Sequence, residues 1–343
     1  MSTHKRENTM KAAYIRGYGG SDKVEIGDVD RPVASPGQVL IKMKAASVNP
    51  IDWKTVKGDL KALFKPPFPL LLGSDGAGIV EQVGTGVSRF KVGDEVFFRC
   101  HKTDTGTFAQ YFAVSADLVA LKPKNMSFEQ AASIPLVGLT STQSLDEKAG
   151  MVAGSKVLIH AGAGGVGTFA IQYAKAKGAY VATTASKKRN ELLTQLGADE
   201  IIDYHSTNVE DVLQDYDIVL DTLGETVHGA SYKTLKKGGV LVSVLGIPDN
   251  EVIADYGANF IVKFVAKLHN RKMQKRAASY DAVYKHHLMY ADGKQLADIA
   301  KLIEAGKIKA IIDSTFPLDQ VAAAFERSMT GRVQGKIIIT IED

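Results

Sequence analysis

Cysteine is nearly absent from this sequence. Cys100 stands alone among 343 residues. No intrachain disulfide can form, and a four-thiolate zinc lobe is excluded. A chain so poor in cysteine suits a reducing compartment, and we expect a cytoplasmic protein. Long apolar runs are also missing, since none approaches the ~18 residues of a membrane-spanning helix. The start, Met1–Thr9, is polar and lacks the apolar region of a secretory signal. Strong charge of one sign is missing too. The 42 Lys and Arg against 38 Asp and Glu leave +4, which gives little reason to expect nucleic acid. There is no internal repeat and no low-complexity tract. What remains is ordinary for a folded chain, at 45% apolar and 23% charged residues, which excludes a disordered one. At roughly 100–200 residues per domain, the length allows two or three domains.

The first third reads as β. Val39, Ile41, Met43 and Ala45 alternate within Gln38–Val48, as a half-buried strand requires. Further strands are expected at Lys11–Ile15, Val24–Val29, Gly78–Val83, Glu95–Phe98, Phe108–Val114 and Val119–Leu121. Gly and Pro turns separate them, which suggests a compact barrel or sandwich. Ser127 and Gln130 have the spacing of a capping box at a helix start. From Lys156 the pattern changes to alternating strands and helices, with strands at Lys156–Ala161, Tyr180–Ala185, Glu200–Tyr204, Asp217–Thr222 and Val240–Leu245. Strands that are apolar throughout imply a parallel sheet covered on both faces. A strand near Lys285–Tyr290 should be the last of that sheet and lie at its edge. The end returns to β at Lys309–Phe316 and Lys336–Ile341.

Gly162, Gly164 and Gly167 fit the G-x-G-x-x-G spacing in Ala161–Gly167, between an apolar strand and a helix. The first glycine permits a tight turn, the second lets backbone approach a pyrophosphate, and the third lets helix pack on strand. With Gly165 and Val166, the turn offers free N–H groups at the positive end of the helix dipole. A dinucleotide is therefore expected. An NAD site usually carries an acid roughly 20 residues further on, for the ribose 2′-hydroxyl. No Asp or Glu lies between Ala163 and Asn190, and the second strand runs instead into Ser186-Lys187-Lys188-Arg189. Cations are unfavourable in a first helical turn, and an anionic 2′-phosphate would explain them, so NADPH is the expected cofactor. Tyr173/Lys177 and Tyr232/Lys236 match the Tyr-x-x-x-Lys of short-chain dehydrogenases. Such enzymes carry the glycine turn near the N-terminus and the Tyr/Lys pair far downstream of it, whereas Tyr173 lies in the helix right after the turn, so both matches are read as chance.

With a β-rich start and a β-rich return, the arrangement resembles the medium-chain dehydrogenase/reductase superfamily, and within it the zinc-independent quinone oxidoreductases and enone reductases. The resemblance rests on Ala46-Ser47-Val48-Asn49-Pro50-Ile51-Asp52, Gly73-Ser74-Asp75-Gly76-Ala77-Gly78, Gly138-Leu139-Thr140, the glycine turn and Gly335-Lys336-Ile337. It implies an α/β chain with a GroES-like β-barrel domain over 1–130, completed by 292–343, and a doubly wound Rossmann domain over 131–291. The active site would lie in the cleft between them. The zinc branch has Cys where this chain has Asn49, His where it has Ser74, and a third ligand near Leu136–Val137. Catalytic zinc needs at least three N or S ligands, so no metal is expected, and hydride must go to an acceptor that is already electrophilic. The resemblance implies NADPH-dependent reduction of quinones or α,β-unsaturated carbonyls. Enoyl-thioester reduction and non-catalytic NADPH binding are the alternatives.

By the same resemblance, Asn49 stands at the nicotinamide end and donates to the developing enolate oxygen. Thr140 meets the carboxamide, Ser186, Lys187 and Arg189 meet the 2′-phosphate, Tyr204 makes a further phosphate contact, Gly246 backs the ribose, and Lys336 is a further cofactor-binding residue. Each has a plainer reading: Asn49-Pro50 as a turn, Thr140 as a helix cap, Tyr204 as a strand-end tyrosine. Asp52 and Lys54 could pair at the site or on the surface. Trp53, Phe64, Phe68 and Phe260 read equally as pocket or core. A homodimer is expected through the nucleotide domain. Ala258–Arg276 holds six cations and no acid, with Phe260, Ile261, Phe264, Val265 and Leu268 at helical spacing. We expect that apolar stripe to pack over the cleft or a partner subunit, without stable membrane association.

Overall fold

The computed structural model describes residues 8–61, 65–101, 104–248, 253 and 260–342. Met1–Glu7, Phe64, Ala258 and Asn259 lie outside them. Two compact units divide the chain. The first holds the residues up to Leu136, Tyr290–Gly306 and the end from Ala310, and the second holds Val137–Met289 with Lys307–Lys309.

In the first unit the alternating segment Gln38–Val48 is the central strand of a seven-stranded sheet. It pairs antiparallel with Asp75–Val83, Tyr111–Ser115 and Lys336–Thr340. Its inward residues Val39, Ile41 and Met43 join a core with Phe98, Phe325 and Ile339. The neighbouring strand comes so close that a Cβ on Gly78 would sit 2.2 Å from Lys42 O. That strand therefore needs glycine where the two backbones meet. The segment after Asn49 is a helix, Pro50–Lys57, and not merely a turn. Proline suits the first helical position because its missing N–H has no partner to lose. Gly58, at φ 80°, ends it. The Ser127/Gln130 capping box is formed, with both reciprocal bonds present.

The second unit is a six-stranded parallel sheet. Its strands in chain order are β1 (Lys156–Ile159), β2 (Tyr180–Ala185), β3 (Glu200–Asp203), β4 (Tyr216–Asp221), β5 (Leu235–Ser243) and β6 (Val283–His286). They lie in the order β3-β2-β1-β4-β5-β6, the order of doubly wound dinucleotide folds. β6 is at the edge, where it was expected. β1 stops two residues short of its expected end because the turn begins at His160 and puts Ala161 at φ 51°. The stretch after β2 forms a 3-10 turn, Lys187–Arg189, and a short helix, Asn190–Gln195.

The basic segment forms a helix, Phe260–Ala278. It packs inward through Ala266, Met273 and Ala277, the last two inside the core beneath β5 and β6. The apolar stripe faces the other way: Phe260 and Ile261 are 79% and 69% exposed, and Phe264, Val265 and Leu268 about half. Within this chain, small residues and one methionine do the packing that the stripe was expected to do. No helix among the described residues is long and apolar enough to cross a membrane.

Candidate active site

Glycine chemistry builds the turn after β1. A Cβ on Gly167 would lie 2.5 Å from Ala161 O and 2.6 Å from the Gly162 Cα, both backbone atoms. A Cβ on Gly162 would meet Thr183 Oγ1 at 2.0 Å. At Gly164 the nearest atom would be 3.3 Å away, so the outer side of the turn is the more open one. The helix Gly165–Ala176 starts there with no side-chain cap, which leaves its first N–H groups for an anion.

Ser186 follows β2 directly, and Lys187 is exposed while Ser186 and Arg189 are partly so. Tyr204 follows β3, 59% exposed, with its ring 4.2 Å from that of His205. Gly246 lies beyond β5 at φ 113°, with open space around it. Thr140 is buried within the helix Pro135–Thr142. Neither Tyr-x-x-x-Lys pair is arranged for catalysis. Tyr173 donates to Asp146 at 2.5 Å, and Lys177 lies 3.7 Å from the same residue. Tyr232 is buried, and Lys236 pairs with Asp217.

Behind the turn lies a polar cluster that sequence reading missed. His160, 2% exposed, bonds Thr184 Oγ1 at 3.1 Å and Ser231 Oγ at 2.8 Å. Burial pulls its pKa down to about 4. Asp221, at the end of β4, meets His228 at 2.9 Å and Ser243 Oγ at 2.7 Å. It also accepts the N–H groups of Leu223 and Gly224. Burial opposes its charge, but those hydrogen bonds prevail and hold the carboxyl below its ordinary range. The cluster thereby fixes the backbone that leaves β4. A His and an Asp standing at the ends of apolar strands were the available signal.

In the first unit, Asn49, Asp52 and Lys336 come together in one buried network. Asn49 is 1% exposed. Its Nδ2 donates to Asp75 Oδ2 at 3.1 Å and, at a long 3.4 Å, to Ser47 O. Its Oδ1 accepts from the Lys336 ammonium, which also donates to Val48 O at 2.9 Å. Asp52 accepts the Asn49 N–H at 2.7 Å and the Ser74 hydroxyl at 3.1 Å. It makes no pair with Lys54, because residues two apart on a helix face different ways. Burial pushes the Asp52 carboxyl up to about 6, against the opposing pull of the Asn49 N–H and the Arg99 guanidinium. Burial likewise lowers the Lys336 pKa, while Asp75 and Asp52 hold it up.

Asp75 also takes the hydroxyl of Ser47 at 3.1 Å and lies 3.6 Å from Arg99 Nη1. Two buried carboxylates thus face two buried cations. Asp75 and Arg99 were not anticipated as members. The signal was present in Asp75, an acid inside the apolar run Gly73–Gly78. Of the aromatics left open between pocket and core, Trp53 packs against the core and donates to Ser328 Oγ at 3.1 Å. Phe68 stands edge-on to Tyr18, 41% exposed. No group of three or more His, Cys, Asp or Glu among the described residues is placed to hold a metal ion.

Residues 35–124 match the alcohol dehydrogenase GroES-like domain, and residues 196–339 match the zinc-binding dehydrogenase domain. The 2-methylene-furan-3-one reductase of Solanum lycopersicum is 36% identical over 96% of this chain and 79% of its own length. This chain belongs to the medium-chain dehydrogenase/reductase superfamily, among its quinone and enone oxidoreductases. As such it is an oxidoreductase, built from a GroES-like domain and a Rossmann-like domain. The chloroplastic NADPH-dependent alkenal/one oxidoreductase of Arabidopsis thaliana is 35% identical, over 96% of this chain and 79% of that one. Among solved structures, the quinone oxidoreductase from Coxiella burnetii superposes with a TM-score of 0.85 at 34% identity, covering 97% of this chain and 100% of that one.

Proposed function

We propose that this protein reduces quinones or α,β-unsaturated carbonyls with NADPH and without a metal. One observation carries the reading. A tightly packed glycine turn shares its sheet with a β2 end that bears Ser186, Lys187 and Arg189 and no acid. The names of the tomato and Arabidopsis relatives support the acceptor class. Such acceptors are already electrophilic, and bound NADPH supplies the hydride.

The chain's own residues then have distinct tasks. The N–H groups of Gly165, Val166 and Gly167 hold the pyrophosphate, and Gly164, whose own N–H is taken by Ala161 O at 2.9 Å, leaves room for it. Ser186, Lys187, Arg189 and Tyr204 take the 2′-phosphate. Thr140 orients the carboxamide, and Gly246 leaves room for the ribose. Lys336 and Asp75 fix the Asn49 amide from both ends. The Nδ2 hydrogen on the long contact to Ser47 O is the one released to a developing enolate oxygen. Asp52 positions Asn49 through its backbone N–H. Asn49 Oδ1, the atom a metal would need, already accepts from an ammonium group. Solvent protonates the product carbon. The rest of the reading is a cytoplasmic homodimer paired along the exposed edge of β6, because an open edge calls for cover.

Lys187→Ala with Arg189→Ala tests the cofactor assignment. A charge-assisted phosphate contact is worth about 1.5–3 kcal/mol. The KM for NADPH should rise by about tenfold or more, with NADH use unchanged. Equal loss for both cofactors would place these residues elsewhere. Activity should survive dialysis against a strong chelator, and stoichiometric zinc tied to activity would overturn the metal-free reading.

A further inference from the structure

The helix Phe260–Ala278 presents an outward face of two halves. At about 100° per residue, Ala266, Met273 and Ala277 define its inner side, and all three are fully buried. Opposite them, the first half shows Phe260, Ile261, Phe264, Val265 and Leu268. The Phe260 and Phe264 rings lie 6.3 Å apart and nearly parallel, so they form one continuous apolar surface. Lys263 and Lys267 flank it on one side. In the second half the same outer side carries Arg271, Lys272 and Lys275, all exposed. The helix contains no acid. The acid that the structure sets against it is Glu225, 3.6 Å from His269 and 4.0 Å from Lys272.

An apolar strip bordered by cations is the pattern of a helix that lies in a membrane interface, with apolar side chains at the acyl boundary and cations among headgroups. A second copy meeting this face with its own is a poor occupant, because it would set the like charges of two cationic helices against each other. A neutral surface would leave those cations unanswered. We infer that the outward face of Phe260–Ala278 docks reversibly on an anionic lipid surface. The apolar half inserts, and the cations engage the headgroups. Each cation near such a surface contributes about fivefold in partition. The contact is therefore salt-sensitive and needs both halves of the face. The docking does not depend on which acceptor is reduced.

Sedimentation of the full-length protein with vesicles tests the inference. Vesicles of phosphatidylcholine alone are compared with equal parts phosphatidylcholine and phosphatidylglycerol. The protein should sediment with the anionic vesicles at least tenfold better than with the neutral ones at low salt, and should be released near 0.5 M salt, where screening is strong. Phe260→Ser with Phe264→Ser, and separately Lys263→Glu with Lys267→Glu, should each remove most of the binding. All four side chains are exposed, so both variants should fold, as circular dichroism checks. Three results would overturn the inference: no binding to anionic vesicles, equal binding to both kinds, or variants that bind like the parent. A solution mass that falls in the Phe260→Ser/Phe264→Ser variant would also overturn it, by assigning the face to a second copy.

Discussion

Lys336 and Asn49, 287 positions apart in the chain, are joined by a hydrogen bond from ammonium to amide oxygen, and both are almost wholly buried. The contact ties the last strand of the first unit to the start of the helix Pro50–Lys57. Lys336→Met should leave Asn49 Oδ1 and Val48 O without their donor and two carboxylates facing one cation. Removing one partner from a buried charged set costs about 3–5 kcal/mol. The urea midpoint should fall accordingly, and a variant as stable as the parent would show that the ammonium is not needed there.

Asn49→Ala separates positioning from catalysis. A donor that acts mainly on the developing oxygen lowers kcat more than it weakens cofactor binding. We expect kcat to fall by about 100-fold, as for the loss of one oxyanion donor, with NADPH affinity little changed. Fluorescence titration alongside steady-state rates is the check. An unchanged kcat in a folded variant would leave Asn49 a structural residue.

Gly167→Ala and Gly164→Ala should differ sharply. The first would push a methyl group into the backbone of Ala161 and Gly162, while the second meets its nearest atom at 3.3 Å. Overpacking of that kind costs about 1–3 kcal/mol. Thermal unfolding should show a clear drop for Gly167→Ala and a smaller one for Gly164→Ala. Equal drops would mean that the helix relaxes freely at this turn.

Acid should destabilise the fold below neutrality. Burial pulls His160, His286 and His287 each down to about 4. The unfolded chain takes up those protons near pH 6.5. Their contribution is therefore complete above that pH and is lost as pH falls through 4. Asp52, raised to about 6, acts in the opposite sense: its contribution is present below about pH 4 and lost as pH rises through 6. Three groups against one leave a net loss on acidification, at most about 3 kcal/mol per pH unit. The urea midpoint should fall between pH 6.5 and 5, and His287→Gln should flatten the slope. A midpoint that rises toward pH 5 would contradict this balance.

Local patterns in this chain were legible and long-range pairings were not. The alternation from Val39 to Ala45 marked a strand whose observed limits, Gln38–Val48, match the reading, and so did the apolar run Tyr180–Ala185. Both signals are carried by neighbouring residues. Asn49-Pro50 suits a turn as well as a site residue, and the structure makes it the start of the helix Pro50–Lys57, a choice that only packing decides. The irregular helical turn Gln143–Lys148 has no pattern of its own. It is held from outside, by His287 on Gln143 and by Lys285 on the carbonyl of Lys148. Asn49, Asp52 and Lys336 each stood out singly. Their meeting with Asp75 and Arg99 depends on strand register, such as Ser47 opposite Asp75 and Asp75 opposite Arg99, which residue types do not encode.

The register of the closing strand has a consequence for synthesis. Ile337 pairs with Val48, and Ile338 with Ser47, so the central strand of the first unit gains this partner only once Lys336–Thr340 has been made. The second unit's sheet comes from one continuous stretch, Lys156–His286, and has every strand it needs well before that. Domains usually complete themselves from the N-terminus as they leave the ribosome. Here the middle of the chain can finish first, while the opening strands wait for the end. A nascent chain stopped short of Lys336 would carry a finished nucleotide-binding sheet, while Gln38–Val48 would still lack its pairing with Lys336–Thr340.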